Sequence, residues 1–116
     1  MAVDESTTVG KLKAKVEAFV AARQWARFHT GKNLAMSIAI EAAELMEHFQ
    51  WSPELPEALD RAEVAEELAD VVIYALALAN RLELDVAAAV TAKLDKNETR
   101  FPVTAGGQHP FAKEQQ

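Results

Sequence analysis

Residues Leu68 to Leu82 read LADVVIYALALANRL, and only Asp70, Tyr74, Asn80 and Arg81 interrupt their apolar character. No alternation of period two runs through this stretch. Its Ala and Leu content favours a helix. Extended upstream through an Ala- and Glu-rich segment, the pattern predicts one long helix over Glu57–Leu82, about 40 Å at 1.5 Å per residue. A helix that is apolar nearly all round must be covered on most of its sides. Four helices of this size do not enclose it within one chain. The long helix is therefore expected to pack partly against another copy, in a homodimer or homotetramer.

The flanking sequence breaks into three further helices. Glycine and proline number four each and fall at the edges of Ala-, Leu- and Glu-rich segments. A first helix is predicted over Thr8–Phe28, with Val9, Leu12, Val16, Phe19 and Val20 as an apolar stripe and Ser6, Thr7 or Thr8 as cap. A second is predicted over Asn33–Gln50 and stopped by the linker Trp51–Pro56. A fourth begins near Asp85 and ends before Pro102. The class is all-α, a four-helix bundle protomer in one domain, 8–102. Residues 1–7 and 103–116 are expected as flexible flanks.

Composition narrows the function. The chain has 116 residues, of which 50% are hydrophobic and 26% charged, with a net charge of -6. A basic surface for nucleic acid is not available from that balance. There is no cysteine, which excludes disulfides and thiolate chemistry and fits an intracellular, cytoplasmic protein. The beginning, MAVDESTT, has neither the basic nor the apolar region of a secretory signal. The apolar run Val71–Ala79 is too short to span a bilayer, so no membrane association is expected.

The acidic residues are the chemically informative ones. Helix 2 carries Glu41, Glu44 and Glu47, and no Lys or Arg occurs between Asn33 and Asp60. These acids thus lack the cationic neighbours at i±3 or i±4 that usually support charge on a surface helix. Glu41 and Glu44 share a face. Helix 3 repeats the arrangement with Glu63, Glu66, Glu67 and Asp70, and no basic residue occurs between Arg61 and Arg81. Relative to Asp70, Glu67 lies about 60° around the helix, Glu66 about 40° and Glu63 about 20°. Geometry leaves the choice among them open. A solvated acidic face is the ordinary fate of such residues. Two unpaired acidic pairs facing each other in apolar surroundings would instead repel strongly unless a cation lay between them. Hard oxygen donors suit Mg²⁺, with Mn²⁺ as a substitute. A di-iron carboxylate bundle would need Glu-x-x-His on two helices. The residues three before His29, His48 and His109 are Ala26, Leu45 and Gly106, so that site is set aside.

Glu41-Ala-Ala-Glu44, then twenty-two residues, then Glu67-Leu-Ala-Asp70 resembles the EXXE…EXXD signature of the MazG-like, all-α nucleoside triphosphate pyrophosphatases. The resemblance continues outside the acids. Trp25, Phe28-His29 and Asn33-Leu34 are similar to the segment before the first acidic pair. Phe49-Gln50-Trp51 is similar to the FQW after it, and Asp70-Val-Val-Ile-Tyr74 to a DVLIY run. Lys93-Leu-Asp95-Lys-Asn97-Glu-Thr-Arg100-Phe101-Pro102 is similar to a K-x-D-x-N-x-x-R-[YF]-P ending. Residues 22 to 102 are covered, and the ordered set is nearest the dCTP pyrophosphatase branch.

The resemblance implies Mg²⁺-dependent hydrolysis of a nucleoside triphosphate between its α and β phosphates. It implies Glu41, Glu44, Glu67 and Asp70 as catalytic metal ligands, and so selects Glu67 over Glu66. With it, Lys93 and Arg100, seven apart on helix 4 and so on nearly one face, are expected to meet phosphates. Asn97 is expected to hydrogen-bond phosphate or sugar. Trp51, His29, Asn33 and Tyr74 complete the expected substrate site: Trp51 offers a ring for base stacking, and Tyr74 can crowd a 2′-hydroxyl. His48 lies on the face of Glu41, but the resemblance gives it no role. The expected activity is removal of a dNTP, dCTP or a related pyrimidine, from the nucleotide pool. A broad-specificity or dUTP-preferring relative is the first alternative. A non-catalytic helical interaction module is the second.

Overall fold

The computed structural model describes residues 1–51 and 57–103. The expected flexible tail beyond Val103 and most of the linker after Trp51 lie outside these residues. The chain divides into two units, the first ending at Leu84 and the second beginning at Asp85. The described residues form four α-helices and one 3₁₀ turn, with no strand among them. The all-α class is as expected.

In the first unit, α1 spans Val9–Ala22. Thr8 caps it, its hydroxyl accepting the Lys11 N–H at 3.1 Å. The helix ends earlier than the predicted Phe28. Gln24 adopts φ 55°, the Trp25 N–H reaches back to the Val20 carbonyl, and the Gln24 N–H to that of Ala21. This pair of bonds around a left-handed residue is a Schellman closure, usually made with glycine. A 3₁₀ turn over Ala26–Phe28 follows. The Trp25 ring then meets Phe19 edge to face, with centroids 5.5 Å apart.

Helix α2 spans Gly31–Glu47, two residues earlier than predicted at its start and three at its end. Thr30 is the cap, accepting the Asn33 N–H at 3.1 Å. Helix α3 spans Arg61–Arg81, not the predicted Glu57–Leu82. Asp60 sets its start by accepting the Ala62 and Glu63 N–H groups at 3.0 and 3.1 Å. Its end repeats the closure of α1, with Glu83 at φ 54° and the Leu84 N–H on the Ala79 carbonyl.

Helix α3 is the centre of this unit and packs against α2 and, less extensively, α1. Two hydrogen bonds fasten α1 near the end of α3. The Asn80 amide donates to the Lys13 carbonyl at 2.9 Å, and the Lys13 ammonium donates to the Leu84 carbonyl at 2.5 Å. The buried hydrophobic residues are few: Val16, Leu34, Leu76, Ala77 and Ala79. Among the described residues Leu34 is the one large side chain that is fully buried. Leu68, Val72 and Ile73, on the same helix as Leu76, are exposed. The apolar residues of α3 are therefore divided along its length, with those toward its C-terminal end buried within the unit and those nearer its start left exposed.

The second unit contains α4, Val86–Arg100. Asp85 caps it as expected, accepting the Ala88 N–H at 2.8 Å. Its last turn is closed by the Phe101 N–H on the Asn97 carbonyl at 2.7 Å.

Candidate functional site

The four acids of the two signature pairs come from the two helices that pack most extensively. Glu41 and Glu44 lie on α2, and Glu67 and Asp70 on α3. Glu41 and Glu67 are half-buried, whereas Glu44, Asp70, Glu63 and Glu66 are exposed. Packing thus separates Glu67 from the neighbours that helical geometry had left equivalent to it. The proximity of the four acids is felt at Glu41. Hydrogen bonding to Glu44, then burial, then the charges of Glu44, Asp70 and Glu67 hold its carboxyl above the usual carboxylate range.

Two oxygens in this group are buried without a hydrogen-bond partner, Glu41 Oε2 and Glu67 Oε2. Buried carboxylate oxygens are normally satisfied. Among the described residues no Lys or Arg pairs with any of the four acids. The ion pair found there joins Glu67 Oε2 to His48 Nε2, close in distance but without hydrogen-bond geometry. His48 is the cap residue at the end of α2. The sequence placed it on the face of Glu41, seven residues away, but not against Glu67, because pairing across helices has no local signature.

These residues fit a hard divalent cation by donor chemistry: carboxylate oxygens from two helices, two of them buried and unsatisfied. Among the described residues, no three acidic or histidine side chains close around one point as they stand. Holding an ion would require the carboxylates to rotate about their own side-chain bonds.

Beside the acids runs a groove between α1 and α3, of about 580 Å³. Asp70 and Tyr74 line it from α3, Phe19 from α1, and Trp25 and His29 from the connection that follows α1. His29 and Tyr74 are thus brought to one cavity with Asp70, and Trp25 joins them. The lining is otherwise largely aliphatic. It offers flat apolar surface next to an acidic edge, the combination that suits a ring carried on a charged group.

The remaining expected substrate residues are placed differently. Asn33 uses its side-chain amide to donate to the Phe28 carbonyl at 2.8 Å, which ties the 3₁₀ turn to the start of α2. Trp51 follows α2, is 88% exposed, and does not line the groove. Lys93, Asn97 and Arg100 lie on α4 in the second unit. There Lys93 and Arg100 are exposed and Asn97 is half-buried. The Arg100 guanidinium stands 5.0 Å from the Phe101 ring centroid.

Comparison with known proteins gives a consistent set. The chain is 43% identical over 91 residues to dCTP pyrophosphatase 1 of Bos taurus, covering 73% of this chain and 54% of that protein. Against dCTP pyrophosphatase 1 of Homo sapiens it is 41% identical over 90 residues, covering 72% and 53%. The chain therefore spans about half the length of the curated relatives it matches. A solved pyrophosphatase structure from Archaeoglobus fulgidus superposes with a TM-score of 0.74 at 41% identity, covering 81% of this chain and 92% of that one. The MazG-like family model matches residues 36–109, which include both acidic pairs and all of α3. With that match over more than half its length, and an all-α fold that brings the two pairs together, the chain belongs to the MazG-like family.

Proposed function

We propose that the protein is a Mg²⁺-dependent pyrophosphohydrolase of deoxynucleoside triphosphates. It would cleave dCTP or a related pyrimidine nucleotide to the monophosphate and pyrophosphate. The observation that carries this reading is the facing of two acidic pairs across α2 and α3, with two buried, unsatisfied carboxylate oxygens. The similarity to dCTP pyrophosphatases supports the substrate class.

Glu41, Glu44, Glu67 and Asp70 would hold the metal. When bound, Mg²⁺ neutralises triphosphate charge and lowers the pKa of a water. The chain's own residues supply the rest. Glu41, whose carboxyl is held above the usual range by Glu44, burial and the surrounding charges, is the acid that a bound cation would relieve most. Asp70 links the acids to the groove that it lines with Tyr74, His29 and Trp25, where a base or sugar would lie. Lys93, Asn97 and Arg100 would meet phosphate, and Trp51 a base. A net charge of -6 makes such cations necessary for an anionic substrate.

The working form would be a homodimer or homotetramer, because large apolar side chains outside that groove, such as Met36, Ile40 and Leu68, stay exposed in the single chain. Among the described residues no helix is long and apolar enough to cross a membrane. A cytoplasmic role in cleansing the nucleotide pool suits the proposed substrate. The decisive experiment follows a panel of triphosphates with Mg²⁺ by phosphorus NMR. A monophosphate and pyrophosphate are expected, fastest from dCTP or another pyrimidine. Orthophosphate and a diphosphate would identify a different reaction, and no turnover of any triphosphate would favour a non-catalytic module.

A further inference from the structure

His48 stands at the end of α2, four residues after Glu44 and seven after Glu41, so the three project along one face of the helix. Its Nε2 meets Glu67 Oε2 of α3. The two side chains are only 18% and 27% exposed, and water therefore competes weakly for either. The Phe49 ring stands beside the imidazole, tilted by 59° with centroids 6.3 Å apart. Among the described residues no other ion pair reaches the four acids. An imidazole presents an Nε2–H in its cationic form and in one of its two neutral tautomers. Either form can engage one carboxylate oxygen and leave the other free.

We propose that His48 is a positioning residue for Glu67. Its Nε2 stands against the Glu67 carboxylate and restricts the rotation of that side chain beside the other three acids before any ion arrives. This rests on the reading that these acids bind a divalent cation. A carboxylate surrounded by three like charges otherwise turns away from them, and binding an ion must first bring it back. A partner that fixes a ligand's orientation typically raises metal affinity by about 10- to 100-fold. His48 does this from a position the acidic signature does not include.

The test titrates the nucleotide-free full chain with Mn²⁺ alone, read by electron paramagnetic resonance. Wild type is compared with His48→Leu, His48→Gln and His48→Asn. The Gln amide nitrogen extends about as far as Nε2, and that of Asn falls short of it. His48→Leu and His48→Asn should bind Mn²⁺ about 10- to 100-fold more weakly than wild type, and His48→Gln should recover most of the loss. In turnover, the Mg²⁺ concentration for half-activation should rise in the same order, with kcat at saturating Mg²⁺ changed only a few-fold. Equal Mn²⁺ affinity in wild type and His48→Leu overturns the proposal and leaves the metal reading intact. So does equal affinity in His48→Gln and His48→Asn, which decides the matter even if the Leu variant does not fold. Wild type that binds no Mn²⁺ overturns the metal reading and this proposal with it.

Discussion

Val72→Asp separates a free-standing chain from an assembled one. Val72 lies on α3, lines the groove shared with α1, and is 43% exposed. A little over half of its surface is therefore buried within the chain itself. Full burial of a valine contributes about 1.5–3 kcal/mol, so replacing it costs an isolated chain about 1–1.5 kcal/mol. Val and Asp differ little in helix propensity. If the exposed part is covered by a second copy, Asp brings an uncompensated charge into that interface. A penalty of about 3–5 kcal/mol is then added. At 1.4 kcal/mol per factor of ten, dissociation is favoured by about a hundredfold to a few thousandfold. Sedimentation velocity across the micromolar range reads this directly. Wild type should sediment as a dimer or tetramer and the variant as a monomer, with little residual hydrolysis because Glu67 and Asp70 share α3. A compact, active wild-type monomer would refute the reasoning, as would a variant that assembles like wild type.

Three further outcomes follow from the site and the helix ends. Glu44→Gln and Asp70→Asn should each abolish triphosphate hydrolysis while circular dichroism remains that of wild type. Near-normal turnover at saturating Mg²⁺ would remove these residues from the site. Glu41 is held above its ordinary value by Glu44, by burial and by the charges around it, so the folded chain favours its protonated form. Its contribution to stability is full below the ordinary glutamate range and is lost as pH rises through the raised folded value. Metal-free Glu41→Gln should therefore melt above wild type at pH 7, with the gap closing toward pH 4, and a lower melting point at pH 7 would contradict the crowding. Gln24 occupies a left-handed position that costs a side chain about 1 kcal/mol relative to glycine. Gln24→Gly should raise the urea midpoint accordingly, and a lowered midpoint would mean that the Gln24 side chain has a role of its own.

The sequence by itself determined the all-α class, because the stretch from Leu68 to Leu82 is rich in Ala and Leu and no segment alternates with period two. It also determined two helix starts in outline, since Thr8 and Asp85 are capping types whose signals are local. It showed the acids to be unusual, because the lack of Lys or Arg near Glu41 and Glu44 is a property of the chain alone. It did not reveal the end of α1, because Gln24 adopts without glycine a conformation that normally advertises itself by glycine. Nor did it place the start of α3 at Asp60 rather than Glu57. That choice depends on which side chain takes the first free N–H groups. Only tertiary structure divided α3 along its length, burying Leu76, Ala77 and Ala79 and leaving Leu68, Val72 and Ile73 exposed. A helix apolar on nearly every side carries no periodicity from which to read its facing. Only tertiary structure half-buried Glu67 against His48 while leaving Glu63 and Glu66 in solvent. All three lie within about 60° of Asp70 around the helix, and the packing of α2 breaks that near-equivalence.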